Sequence, residues 1–386
     1  MFKNTNKNIS LEKFHQICIE ESIPFVSYNL PYKKKTITLV QYSSVPQKID
    51  IENELENNTG FIIAPFDRQD NENAYILRPD AIYETKKIDN KDVELILRNK
   101  INFKTDAFQD ELNKFDNKIS FLNNVNKIIE NIHSGDVQKV VLSRVERVER
   151  LRNLSLTKIF NEFIKVYPNA FVYFFYLPEV GSWMGATPEP LIKLNCHEAV
   201  VESIAATKWA ENDLTSEIKW TNKEYDEQKI VTKYIEDLLK DFEIIESKKE
   251  GPYNYKAGQI THLKTDIIFE KTKIRDCFGK FLRALHPTPS ICGYPKNKSY
   301  EVIKKIESHN RLFYGGILGP INILNTTELY VNIRCMRILE NNFELYIGAG
   351  ITSESKAESE WEETEYKKQV LLSVINKLSN AKKHGQ

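Results

Sequence analysis

The chain has 386 residues, 41% of them hydrophobic and 28% charged, which is enough for a large buried core in one domain or two. Its 54 Lys and Arg balance 54 Asp and Glu, so the bulk charge does not call for nucleic acid or an anionic membrane, and any anion site has to be local. No run reaches the ~18 apolar residues of a membrane span, the first residues lack a signal-peptide core, and the scattered cysteines form no C-x-x-C pair, so a cytoplasmic protein without structural zinc or disulfides is expected.

Residues 1–115 mix short strand-like runs (TITLVQY, GFIIAP, AYILRP) with polar connectors and carry no chemical motif. They read as a scaffold packed into the same body as residues 116–386. From 118 the pattern sharpens into a helix, ISFLNNVNKIIENIHSG, closed by Gly135, then a strand, VQKVVLSRVERV, a helix, LTKIFNEFIKVY, and a strand, AFVYFFYL. Strands and helices alternate to the end, so the content is α/β.

In VQKVVLSRV, Lys139 shares a strand face with Val137, Val141 and Val145. Such a lysine either snorkels from a sheet edge or sits in a site where desolvation makes it a useful base. Glu189, in GATPEPL, lies between Pro188 and Pro190, which restrict the local backbone; it is either an exposed turn residue or an aimed general acid. In NKEYDEQKIVTKYIEDLL, Glu227 stands one turn before Ile230 and Val231 and so begins the apolar stripe.

Three later segments suit an anion site. ALHPTPSICGYPK carries His286 in a proline-rich turn, RLFYGGILG carries Tyr314 among glycines, and LYVNIRCMRIL places Arg334 inside an apolar run, where a bidentate carboxylate is its best partner. His262, in ITHLKTDI, reads as a structural histidine. In FELYIGAGITSESKAESEWEETEYK, Gly348, Ala349 and Gly350 end a strand and would let backbone N–H groups approach an anion. A helix follows with Glu360, Glu363 and Lys367 at helical spacing. Glu363 and Lys367 could be no more than a surface ion pair, worth ~0.3–0.5 kcal/mol. With Glu227, however, these carboxylates also match the sparse protein ligation that Mg²⁺ prefers.

Read together, KVVLSR, GATPEPL, SIAATK, KEYDEQKIV, HLKT, LHPTPSICGYP, ESHNRLFYGGILG, IRCM, GAGIT and EWEETEYK resemble, in order, the chorismate-utilising enzymes, most closely the isochorismate synthases. The resemblance runs from Lys139 to Lys367. It implies a large α+β fold in which antiparallel sheets enclose the site and helices cover the outside. It further implies that Lys139 activates water, that Glu189 protonates the departing hydroxyl, and that Glu227 and Glu363, with Glu360 nearby, hold Mg²⁺. Arg334 would take the enolpyruvyl carboxylate of chorismate, Lys367 and Gly348–Gly350 the ring side, and Thr207, His286 and Tyr314 further contacts. The chain departs from the pattern at Ala206, Gln228 and Cys292, where glycine, histidine and glycine are usual.

The same resemblance separates the nucleophiles. Relatives that form a covalent intermediate place a lysine where this chain has Ala205, and anthranilate synthases usually carry glutamine in place of Lys139. Water addition, hence isochorismate synthase, is the expected activity. Salicylate synthase and anthranilate synthase component I are the alternatives, and a ligand-binding relative without catalysis is disfavoured by the intact acid–base pair. A monomer acting without a glutamine amidotransferase subunit is expected.

Overall fold

The computed structural model describes residues 8–56, 58–67, 74–101, 117–151, 154–209, 219–257 and 260–383. Two nine-stranded sheets, antiparallel at every pairing, form the body. The motif-free first hundred residues take part in both. Phe25–Asn29, Ile37–Val40 and Ala81–Tyr83 extend one sheet, while Gly60–Ala64, Ala74–Leu77 and Gln47–Ile49 extend the other.

The predicted elements appear close to their expected bounds: helix Lys118–His133, strand Lys139–Glu149, helix Leu156–Val166 and strand Phe171–Leu177. Gly135, at φ +90°, follows the first helix, as expected of a residue that stops one in the left-handed region. Alternating aromatic and aliphatic residues of both sheets, among them Tyr28, Phe171, Tyr173 and Trp183 from one and Phe61, Leu318 and Tyr330 from the other, share a core. Phe171 stacks on Tyr330 across it, ring centroids 4.2 Å apart. The outer faces are covered by helices, including Asn222–Asp241, Phe278–Leu285 and Ala357–Lys383. The architecture is therefore α+β, with sheets inside and helices outside.

The chain passes from one sheet to the other at two adjacent places. Strand Gly181–Thr187 belongs to the first sheet and Pro190–Leu194 to the second; Thr327–Val331 belongs to the second and Cys335–Ile338 to the first. Because the crossings pair with each other on both sides, they make a seam. The short links across that seam contain Glu189 and Arg334.

Candidate active site

A cavity of about 250 Å³ opens at the seam. Glu189 enters it from the Pro188–Glu189 link, whose backbone is fixed by Val331 N–H donating to the Glu189 carbonyl at 3.0 Å. Its carboxyl is buried and accepts a 2.7 Å hydrogen bond from Ser290 Oγ on Oε1. Burial pushes it up to about 7, against the opposing pull of Ser290 and the charges of Lys139, Lys367 and Arg334. A carboxylic acid near 7 can donate a proton at neutral pH. Arg334, on the other link, adopts φ +50° and is buried. Its Nη1 has no hydrogen-bond partner among the described residues. A buried guanidinium donor without a protein partner is able to take an anionic one, and a carboxylate suits its fork geometry.

Lys139 comes from the strand next to the edge, and it does not snorkel. It is 1% exposed and donates to Glu227 Oε1 at 2.6 Å. Glu227 is aimed by its helix: the first turn is closed by Glu224, which accepts from the Thr221 backbone N–H at 2.6 Å, and the next residue, Gln228, is buried against the sheet. The edge strand beside Lys139 is only Gly293–Tyr294, and its Gly293 is required. A Cβ there would collide with the Lys139 carbonyl, and its φ is +124°.

The terminal helix brings Glu360, Glu363 and Lys367 to the same cavity. Lys367 pairs with Glu363 and also donates to the Gly348 carbonyl at 2.9 Å, so it fastens the helix to the Asn342–Ile351 strand while facing the site. Strand alternation turns Gly348 and Gly350 inward. Tyr314 Oη occupies the space that a Gly348 side chain would fill, and the Tyr314 ring stacks on Tyr346 at 5.8 Å. Burial holds the Tyr314 phenol above its ordinary value, so it is a hydrogen-bonding group and not an anion. Among the described residues, no group of three or more His, Cys, Asp or Glu side chains is placed to hold a metal ion. Of the cavity carboxylates, Glu227 is ion-paired with Lys139 and Glu363 with Lys367.

A family model described as "Chorismate binding enzyme" matches residues 4–376. The chain belongs to that family. It is 24% identical over 256 residues to the vibriobactin-specific isochorismate synthase of Vibrio cholerae, a match covering 65% of each chain. It is 26% identical over 257 residues to anthranilate synthase component 1 of Thermococcus kodakarensis, covering 64% of this chain and 58% of that one. These matches therefore span somewhat under two thirds of the curated relatives' length. The structure of MenF, the menaquinone-specific isochorismate synthase from Escherichia coli, superposes with a TM-score of 0.73, covering 97% of this chain and 92% of that one; at 17% identity the likeness is one of fold.

Most of the expected residues share the cavity, two do not, and one has a side chain outside the described residues. His286 lies outside the lining. It is buried at the end of the Phe278–Leu285 helix, where its Nε2 meets the Gly315 carbonyl at 2.7 Å, so it holds the Tyr314 turn in place. Ala349 faces the opposite side of its strand and packs in the core, because neighbouring strand residues point to opposite faces. Thr207 pairs with His262 in the sheet, and its side chain lies outside the described residues. His262, read as structural, holds the Ala206 carbonyl with Nδ1 at 2.9 Å while it lines the cavity, and burial lowers it to about 4, so it is neutral.

The three departures have separate accounts. Ala206 sits at φ +57°, at a register shift between Ala205 and Thr207, which explains why glycine suits the position. Gln228 donates to the Ser203 carbonyl at 3.0 Å and to Thr265 Oγ1 at 3.2 Å, pinning the Glu227 helix to the sheet. Cys292 is buried outside the cavity lining, and desolvation pushes its thiol up to about 12. Ser290 was not anticipated. Its one sequence signal is a hydroxyl in the proline-rich turn.

Proposed function

We propose that this chorismate binding enzyme is an isochorismate synthase. The observation that carries the reading is a buried lysine and a buried, protonatable glutamate lining one cavity beside an arginine with an orphaned donor. Arg334 takes the enolpyruvyl carboxylate. Lys139, in its neutral amine form, accepts a proton from water as its oxygen bonds to C2, the ring double bonds shift, and the C4–oxygen bond breaks as Glu189 Oε2 gives its proton to the departing hydroxyl. One water is consumed and one released, so the reaction is an isomerisation. Mg²⁺ would be held by Glu227, Glu363 and Glu360, where it would neutralise substrate carboxylate charge. Lys139 is the reason to prefer water to ammonia, because ammonia brings its own lone pair and has less need of a base. A chain acting as a monomer, without an amidotransferase subunit, and supplying a menaquinone or siderophore route fits this chemistry.

The test is chromatography of products from chorismate with Mg²⁺ and excess ammonium. A chorismate–isochorismate mixture is expected, lost in EDTA and restored by Mg²⁺. Stoichiometric pyruvate, measured with lactate dehydrogenase, together with salicylate would replace the reading by salicylate synthase; anthranilate would overturn the argument from Lys139.

A further inference from the structure

Glu189 has two carboxyl oxygens in unlike surroundings. Oε1 accepts from Ser290 Oγ at 2.7 Å, and Oε2 has no hydrogen-bond partner among the described residues. Ser290 Oγ is also 2.7 Å from Thr288 Oγ1, so one hydroxyl can accept from the threonine while donating to the glutamate. The turn that carries it is held rigidly. Ile291 N–H and Cys292 N–H both donate to the Thr288 carbonyl, at 3.0 and 2.9 Å, and Arg311 Nη1 donates to the Ile291 carbonyl at 3.0 Å. Arg311 Nη2 reaches the Val141 carbonyl at 2.7 Å, on the strand that carries Lys139. The guanidinium is itself buried and ion-paired with Glu307, so it cannot swing away cheaply.

We propose that Ser290 is a positioning residue which, by occupying Oε1 of Glu189, keeps the acid proton on Oε2, the oxygen left for the substrate. A carboxyl oxygen that accepts a good hydrogen bond is the poorer place for a proton, so the pair fixes both which oxygen is acidic and where it points. The role in turnover rests on the isochorismate synthase reading; the hold on Glu189 does not. The charges acting on Glu189 from neighbouring elements are Lys139, Arg334 and Lys367. None of them needs to move when Ser290 is changed.

The test compares wild type with Ser290→Ala and Ser290→Thr. Protein labelled with [δ-¹³C]glutamate is titrated by NMR, and the Glu189 signal is assigned by its loss in Glu189→Gln. Ser290→Ala should move the Glu189 midpoint upward by about one pH unit, the worth of one hydrogen bond to a charged group, and Ser290→Thr should restore it. With chorismate, Ser290→Ala should lower kcat about tenfold with KM nearly unchanged and shift the alkaline limb of the kcat profile upward in step with the NMR midpoint. An unmoved midpoint in a folded Ser290→Ala protein overturns the proposal, and so does a moved midpoint with wild-type kcat and pH profile. A moved midpoint in a protein whose wild type leaves chorismate unchanged upholds the hold of Ser290 on Glu189 and rejects the isochorismate synthase reading instead.

Discussion

Replacing Glu189 by glutamine should make the protein more stable at alkaline pH while it stops the chemistry. Burial raises the carboxyl from 4.5 to about 7. The fold therefore binds this proton more tightly than the unfolded chain does. The stabilisation is fully present below the unfolded value near 4.5 and is lost as pH rises through about 7. At about 1.4 kcal/mol for each tenfold in proton affinity, the loss amounts to about 3 kcal/mol by pH 8 to 9. The residue is 8% exposed, so solvent screening does little to reduce it. Glutamine keeps the shape and can still accept from Ser290, yet it cannot ionise. Urea unfolding of wild type and Glu189→Gln, measured from pH 5 to 9, should give a stability difference near zero at the acid end that grows in favour of the variant to a few kcal/mol by pH 9. All other titrating groups are common to both proteins and cancel. A difference that stays flat across this range would refute the reasoning, because it would mean that Glu189 is solvated or that its charge is compensated.

Three further outcomes are expected. Lys139→Gln should lower kcat by ~10²–10⁴ with a smaller change in KM, the usual worth of one general base, as read from initial rates with chorismate. Arg334→Gln should act mainly on KM, raising it ~10–100-fold through loss of a charge-assisted carboxylate contact; an unchanged KM would remove Arg334 from the substrate. Ala206→Gly should raise stability by about 0.5–1 kcal/mol, since alanine at φ +57° is strained and glycine is not; a lower melting temperature would show that the methyl packs more usefully than the backbone suffers.

Local pattern was enough to set the element types and the chemistry of single segments. The 3.6-residue stripe after Glu227, the two-residue alternation through Lys139 and the glycine stop at 135 each depend on neighbours within a turn or a pleat, so they can be read in one dimension. The ordered motifs identified the family because each pairs a residue type with a backbone need, as GATPEPL does with its proline-framed glutamate. What the chain alone left open was which face of each segment meets which. Lys139 could snorkel from a sheet edge or lie buried, and only packing against Glu227, 88 positions away, decided that it is buried. The placing of His286 and His262 was equally open: one is buried at a helix end against the Gly315 carbonyl, and the other reaches the cavity from a strand whose partner shifts register at Ala206. Ser290 and Glu189, 101 positions apart, meet only because the chain crosses between the sheets beside the proline-rich turn. Contacts of that length come from tertiary closure of the two sheets, which no local propensity encodes, and the acid's environment is therefore a property of the fold.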